Sequence, residues 1–160
     1  QTTAMAQATS TGDSGGSAGT RAALVKQAQS QVGTTAAQAM KYIRAAGGTG
    51  NEPWCGDFVI AMFKAQGLTP PPARSVPALL NWAKQNHTFR DTGHAGDLAM
   101  FDWNHDGTPD HVELVTGGTG PGQYNTIGGN TSMNGGGTGV AAKHRSDSIL
   151  GFVDAIGGFR

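Results

Sequence analysis

The residue that first suggests chemistry is Cys55, the one cysteine of this 160-residue chain. It lies in NEPWCGDFVIAM (51–62), between a turn-like Asn-Glu-Pro and an apolar run with helical spacing. A helix that begins near Pro53 places Cys55 in its first turn, because proline is favoured at the first helical position. The positive end of the helix dipole stabilises a thiolate, the nucleophilic form of cysteine. A small buried hydrophobe fits the same pattern, so Cys55 alone leaves both interpretations open.

A cysteine nucleophile needs a general base that later protonates the leaving amine, and this base is usually a histidine. We favour His111, because it opens HVELV, whose alternation predicts a rigid strand with His111 and Glu113 on one face. The polar loop context of His87 and His94 indicates solvated side chains. Asn130, in TIGGNTS, is a candidate for the group that orients the imidazole, although an Asn after Gly-Gly also suits an ordinary turn.

The elements that must position these side chains are read from apolar periodicity. Helical spacing predicts helices over 21–32, 35–46, 54–66 and 76–85. Short apolar-rich runs predict strands within 97–103, 111–117, 123–129 and 148–156. This order predicts an α+β fold with N-terminal helices packed on an antiparallel β-sheet. Residues 1–20, rich in Gly, Ser, Thr and Ala, predict a flexible linker or tail before a single domain over 21–160.

The composition narrows the classes of function. The net charge is zero and only 14% of residues are charged, which argues against nucleic-acid binding, because that function needs a clustered basic surface. No apolar run approaches the roughly 18 residues of a membrane span, and no signal peptide is visible in this segment. A single cysteine forms no internal disulfide, so the cysteine count does not indicate a compartment.

A second pattern, DWNHDGTPDHVE (102–113), has the spacing D-x-[DN]-x-[DN]-G-x5-E of a calcium-binding loop. It predicts a structural calcium site, with no cofactor required for the chemistry, at Asp102, Asn104, Asp106, Thr108 and Asp110. The twelfth ligand would be Glu113, which strand alternation instead turns toward the histidine. Strands flank the loop, which excludes an EF-hand, and a polar hairpin loop without an ion is the alternative.

The three tryptophans are placed by their neighbours. Trp54 and Trp103 flank the cysteine and the calcium-loop pattern, so either is a candidate wall of a glycan or peptide groove. Trp82, on an amphipathic helix, is expected in the core.

Five segments in register resemble the CHAP domain, the cysteine, histidine-dependent amidohydrolases/peptidases: PWCGDFV, GDLAMFDW, DHVELVTG, TIGGNTS and ILGFV. The resemblance covers about residues 30–156. It implies a papain-like fold, related to NlpC-type cell-wall hydrolases, with Cys55 as nucleophile, His111 as base and Asn130 as orienting residue. Many family members resemble TIEGNTS where this chain has Gly128, so we expect the role of that glutamate to be missing or supplied by another group such as Glu113.

The resemblance implies a hydrolase of bacterial peptidoglycan, either an N-acetylmuramoyl-L-alanine amidase or a peptide endopeptidase. Phage lysins, autolysins and antibacterial toxins all fit, acting as monomers that are secreted, periplasmic or phage-delivered to the cell wall, with a tethered wall-binding or targeting domain as a candidate partner. Two alternatives stay open. One is a non-catalytic wall-binding or calcium-dependent module, and the other is a cysteine protease of protein substrates.

Overall fold

The computed structural model describes residues 14–50 and 52–158. Within them, the α-helices are α1 (Ser14–Gln29), α2 (Met40–Ala45), α3 (Cys55–Ala65) and α4 (Val76–Gln85). A 3-10 turn, Ala36–Gln38, precedes α2 and replaces the first part of the helix predicted over 35–46. None of the helices in the described part of the chain has both the length and the apolar character that a membrane crossing requires.

Helix α1 begins earlier than the sequence predicts. It starts at Ser14, inside the stretch expected to be a linker, and ends at Gln29. Leu24 and Ala28 are fully buried and hold the apolar side of this helix on the core, and residues 14–20 extend the helix at its N-terminal end. The remainder of the predicted linker, residues 1–13, lies outside the described residues.

The strands form one antiparallel sheet. They are β1 (Phe89–Arg90), β2 (Leu98–Phe101), β3 (His111–Gly120), β4 (Gln123–Ser132), β5 (Thr138–Arg145) and β6 (Ile149–Val153). Their spatial order is β1-β6-β2-β3-β4-β5, and every neighbouring pair is antiparallel. Helices followed by an antiparallel sheet confirm the α+β prediction. The sequence analysis identified neither β1 nor β5.

The two faces of the sheet carry different clusters. One face packs against the helices and holds Met100, Val112 and Leu114 in the main core with Phe58 of α3. The opposite face carries a smaller cluster, whose members are Ala99, Phe101, Val115, Tyr124 and Phe152. Because side chains alternate along β3, His111 and Glu113 point to the same side as this smaller cluster.

Substitution of Gly19 tests the early start of α1. Gly19 lies in the exposed part of the helix, with nothing within 4 Å of an added Cβ. Gly19→Ala should therefore raise the free energy of unfolding by about 0.5–1 kcal/mol, and Gly19→Pro should lower it by about 3 kcal/mol. Urea denaturation measures both. If residues 14–20 were a linker, the two variants would unfold at the wild-type midpoint.

Candidate active site

Helix α3 places Cys55 at its first residue. Trp54 is the N-cap, with φ −110°, and Pro53 lies just outside the helix rather than at its first position. The side chain of Trp54 caps no backbone group, so the N–H groups of Cys55 and Gly56 have no partner within the helix. The thiol is buried, with 3% of Cys55 exposed, and it lies at the positive end of the helix dipole.

The start of α3 is fixed by the segment that precedes α4. A Cβ on Gly56 would lie 2.1 Å from the backbone oxygen of Arg74, so only glycine permits this approach. The Arg74 Nε donates to Oδ1 of buried Asp57 at 2.7 Å, and its Nη2 donates to Glu52. These contacts raise the pKa of Arg74 and fix the backbone on both sides of Cys55.

The imidazole of His111 lies between Cys55 and Glu113. Its Nε2 is 2.9 Å from Oε2 of Glu113, and the Cys55 thiol lies close enough to the ring to raise the pKa of the imidazole. Since Glu113 occupies Nε2, the nitrogen left for the thiol is Nδ1. The cysteine and histidine predicted from the sequence are therefore brought together, although 56 positions separate 55 from 111.

The Glu113 carboxylate is fully buried and has a hydrogen bond for each of its lone pairs. Thr126 Oγ1 donates to Oε1 at 2.7 Å, and Arg145 donates from Nε to Oε1 at 2.9 Å and from Nη2 to Oε2 at 2.7 Å. The His111 contact completes the set. Burial alone would raise the pKa of Glu113, but the hydrogen bonds and charges of Arg145 and His111 outweigh it and lower this pKa to about 2.

The same contacts determine the charge of His111. Burial would lower the pKa of the imidazole, but its hydrogen bonds to Cys55 and Glu113, and the charges of both, raise this pKa to about 9. The imidazolium is therefore the favoured form at neutral pH. A proton held beside the thiol, and an anion behind it, are the arrangement that nucleophilic thiol chemistry uses.

The structure places Glu113, and not Asn130, against Nε2 of His111, and the orienting role predicted for Asn130 stays a prediction. Asn130 is only partly buried, has φ 55° where the pairing of β4 with β5 shifts register, and forms no identified hydrogen bond with His111 in the described part of the chain. A Cβ on Gly128 would lie 2.5 Å from Oε2 of Glu113. The Glu113 carboxyl thus fills the space of a side chain at 128, which explains why glycine stands there.

Sequence analysis missed Thr126 and Arg145. Both contact Glu113 across strand pairs, and β5, which carries the arginine, was not predicted at all. The one signal that could have found it is the run TGVAAKHR, where an arginine ends a strand-length segment that contains the apolar run Val140, Ala141 and Ala142.

A groove of about 440 Å³ opens beside Cys55. Its walls come from the segments before α3 and α4 and from the end of the 102–110 loop, and include Pro53, Pro77 and Pro109 together with the acidic Asp110. Cys55 is one of the lining residues of this groove, so the groove is the candidate binding site for a substrate of the thiol.

The tryptophans divide as follows. Trp103 is 42% exposed, stacks on Phe101 at 4.9 Å and lies 6.0 Å from the His111 ring, so it borders the site. Trp54 is buried and stacks on Tyr42, which removes it as a groove wall. Trp82 is partly buried against the main core, as expected from its helix.

The 102–110 loop is organised by its own hydrogen bonds. Asp102 accepts from the Asp106 and Gly107 N–H groups at 3.2 and 2.8 Å. The end of the Asn104 carboxamide faces one oxygen each of Asp102, Asp106 and Asp110, and its nitrogen would donate to all three at 3.0–3.2 Å if it were turned toward them.

The predicted ligands therefore converge only in part. Among the described residues, no three acidic, thiol or imidazole groups form a metal-binding group by themselves. Glu113 is bound to His111 and Arg145, so it does not serve as the twelfth calcium ligand. Thr108 joins the loop through its N–H, which donates to Asp106 at 2.9 Å. The calcium site stays a prediction.

The chain was compared with known proteins by sequence and by structure. No family model, no curated protein and no solved structure matches it. The chemistry of the site is therefore inferred from its own geometry.

The charge of His111 is tested by titration in NMR spectra. We expect the wild-type imidazole to titrate near pH 9, and Glu113→Gln to lower the midpoint to about 6.5 or below, because burial remains when the anion is removed. The stability that the raised pKa contributes is complete below about pH 6.5 and is lost as the pH rises through about 9. The exposed His144 serves as the control resonance. A His111 midpoint that Glu113→Gln leaves unchanged would refute the pairing of His111 with Glu113.

The calcium prediction is tested by thermal unfolding. A bound ion requires the Asn104 carboxamide to present its oxygen, which is a calcium ligand, and not its N–H groups to the three aspartates. At about 100 times its Kd, calcium should stabilise the fold by about 2.7 kcal/mol, and EGTA should reverse the effect. Asp106→Asn should weaken the response, while Asp91→Asn, outside the loop, should keep it. A melting temperature indifferent to calcium and EGTA would remove the prediction.

Proposed function

We propose that this protein is a thiol amidohydrolase that cleaves an amide bond of bacterial peptidoglycan. The observation that carries the proposal is the arrangement of Cys55, at the first turn of α3, beside the hydrogen-bonded pair of His111 and Glu113. This order of thiol, imidazole and orienting group is the arrangement of cysteine–histidine hydrolases; papain-like enzymes use Asn in the third place, where this chain has the carboxylate of Glu113. The resemblance of five segments to the CHAP domain supplies the substrate class and the papain-like fold as part of the same proposal.

The first half of the reaction forms a thioester. The Cys55 thiolate attacks the amide carbonyl, and the oxygen of the tetrahedral intermediate becomes an oxyanion. The N–H groups of Cys55 and Gly56, which have no partner within α3, are the nearest backbone donors for it. The His111 imidazolium gives its proton to the amine as the C–N bond breaks, and the amine leaves neutral.

The second half regenerates the thiol. His111, now neutral, takes a proton from water as the water oxygen attacks the thioester carbonyl. The carboxylic acid is released when the C–S bond breaks, and the thiolate–imidazolium pair returns. Glu113 stays ionised throughout, because its pKa of about 2 lies far below neutral pH, and it keeps Nε2 of His111 oriented.

The walls of the site fit a substrate that has both a peptide and a sugar part. The proline-lined groove beside Cys55 suits an extended peptide, and the exposed ring of Trp103 borders the other side of His111. The protein would then act at the cell wall, as a secreted, periplasmic or phage-delivered enzyme. Glu113 fills the space of a side chain at 128, which supports the expectation that Glu113 supplies the role of the glutamate that Gly128 replaces.

Mass spectrometry of fragments released from purified peptidoglycan tests the proposal. We expect wild-type protein to release fragments, and Cys55→Ala and His111→Ala to release none, since each removes one partner of the proton transfer. His144→Ala, an exposed histidine on β5, is the matched control and should retain wild-type release.

The fragments also identify the bond. Stem peptides free of sugar would indicate an amidase, whereas shortened stems or opened cross-bridges would indicate an endopeptidase. Release that persists in Cys55→Ala would refute the thiol mechanism. If no wall preparation is cleaved, denatured proteins are the next substrates, and their cleavage would mean a cysteine protease instead.

A further inference from the structure

Arg145 reaches Glu113 from two strands away. It ends β5, while Glu113 lies on β3, and β4 runs between them. Its Nε and Nη2 donate to different carboxylate oxygens, at 2.9 and 2.7 Å, so the planar guanidinium grips the carboxylate as a fork. Such a fork fixes both the position and the plane of the carboxylate, which a single hydrogen bond cannot do.

The two hydrogen bonds from Arg145 restrict the orientation of the Glu113 carboxylate and of the His111 ring bonded to it. Each oxygen of Glu113 accepts one bond from Arg145 and one other, from Thr126 at Oε1 and from His111 at Oε2. Without the guanidinium, two of these positions lose their donors, and a fully buried carboxylate would be left with one neutral hydroxyl and the imidazole. A buried anion with unsatisfied oxygens turns, or takes a proton, to recover a partner.

The same guanidinium also lies against two aromatic rings next to His111. Its Cζ lies 5.1 Å from the centre of the Trp103 ring and 5.3 Å from that of Phe101. The two rings are stacked at 4.9 Å, and Trp103 in turn lies 6.0 Å from the His111 ring. Arg145 therefore contacts both the carboxylate that holds Nε2 and the aromatic stack beside the imidazole.

The charged and titratable groups around this cluster come from three elements and one loop. Cys55 approaches from α3, His111 and Glu113 from β3, and Arg145 from β5. Asp147, just beyond β5, adds a further negative charge near Arg145. Arg145 is the one cation among them that does not take part in proton transfer.

We infer that Arg145 is a positioning residue, which clamps the Glu113 carboxylate and braces Trp103 so that His111 is held with Nε2 on Glu113 and its other nitrogen toward Cys55. Its role in turnover rests on the proposed thiol mechanism, whereas the clamp itself is a property of the folded protein.

The test compares Arg145→Met and Arg145→Lys with the matched control Lys143→Met. Lys143 lies on the same face of the same strand, two residues earlier, and its ammonium donates to Ser132 rather than to Glu113. The first readout is the His111 Nε2–H signal in proton–nitrogen NMR spectra, which is visible while the hydrogen bond to Glu113 protects it from exchange. We expect the signal in wild type and in Lys143→Met, and its loss by exchange in Arg145→Met.

The second readout is steady-state hydrolysis of peptidoglycan fragments. Arg145→Met should lower kcat by roughly 10- to 100-fold, a part of the 10²–10⁴ that a positioned general acid contributes, and should leave KM within about twofold. Arg145→Lys keeps the charge but not the fork, so it should recover part of kcat and part of the NMR signal. Lys143→Met should match wild type in both measurements.

The outcomes separate the clamp from the proposed function. A persistent Nε2–H signal in folded Arg145→Met overturns the clamp, whatever the hydrolysis shows. If Arg145→Met loses the signal but the wild-type protein cleaves no peptidoglycan, the result supports the clamp and counts against the proposed function alone. If Arg145→Met does not fold, Arg145→Gln, which keeps a donor without the charge, is measured in its place with the same expected loss. If Lys143→Met lowers kcat as much as Arg145→Met does, the inference is also overturned.

Discussion

The site depends on one buried charge, the carboxylate of Glu113. An unpaired carboxylate without solvent contact costs several kcal/mol, so its burial is tolerable only when every oxygen lone pair is satisfied. The donors come from three adjacent strands: His111 on β3, Thr126 on β4 and Arg145 on β5. Because a slip of one residue would turn a whole strand to the other face, this charge also requires the correct register of β3, β4 and β5.

The helical half of the molecule determines the position of Cys55. Gly56 lets the backbone at Arg74 approach the first turn of α3, and the ion pair of Arg74 with Asp57 fixes that approach. At the far end of the sheet, buried Arg21 ties α1 to Asp97 and Asp154 at 2.8 and 2.6 Å. These ion pairs fix both the start of α3, which carries the thiol, and the attachment of α1 to the sheet, which carries the imidazole.

Strong periodicity made much of the fold predictable. The apolar spacing of 54–66 and 76–85 gave α3 and α4 within one residue at each end, and the alternation in HVELV gave β3 and the shared face of His111 and Glu113. The Ser- and Gly-rich start of α1 carries no such pattern, so it was not predicted as helix. The contacts that hold α1 on the core come from its later residues. The two-residue β1 is too short to show alternation.

The site was predicted in part, for a physical reason. A helix start and a strand start are local features, so Cys55 and His111 could be identified from short segments. The choice of Glu113 over Asn130 depends on the space above Gly128 and on Arg145, 32 residues along the chain from Glu113. Neither of these is visible in local sequence, and the resemblance of TIGGNTS to the CHAP domain pointed to Asn130 instead.

The most direct test of the central claim, that Cys55, His111 and Glu113 act as one unit, is the rate of Cys55 alkylation by iodoacetamide at neutral pH. It needs no substrate, and it compares wild type with Glu113→Gln and Asn130→Gly, the latter keeping the backbone at φ 55° free of strain. We expect Glu113→Gln to slow alkylation by at least about tenfold, because the imidazolium that pairs with the thiolate loses its anion. Asn130→Gly should react at the wild-type rate. Slow alkylation in Asn130→Gly with an unchanged rate in Glu113→Gln would contradict the assignment and return the orienting role to Asn130.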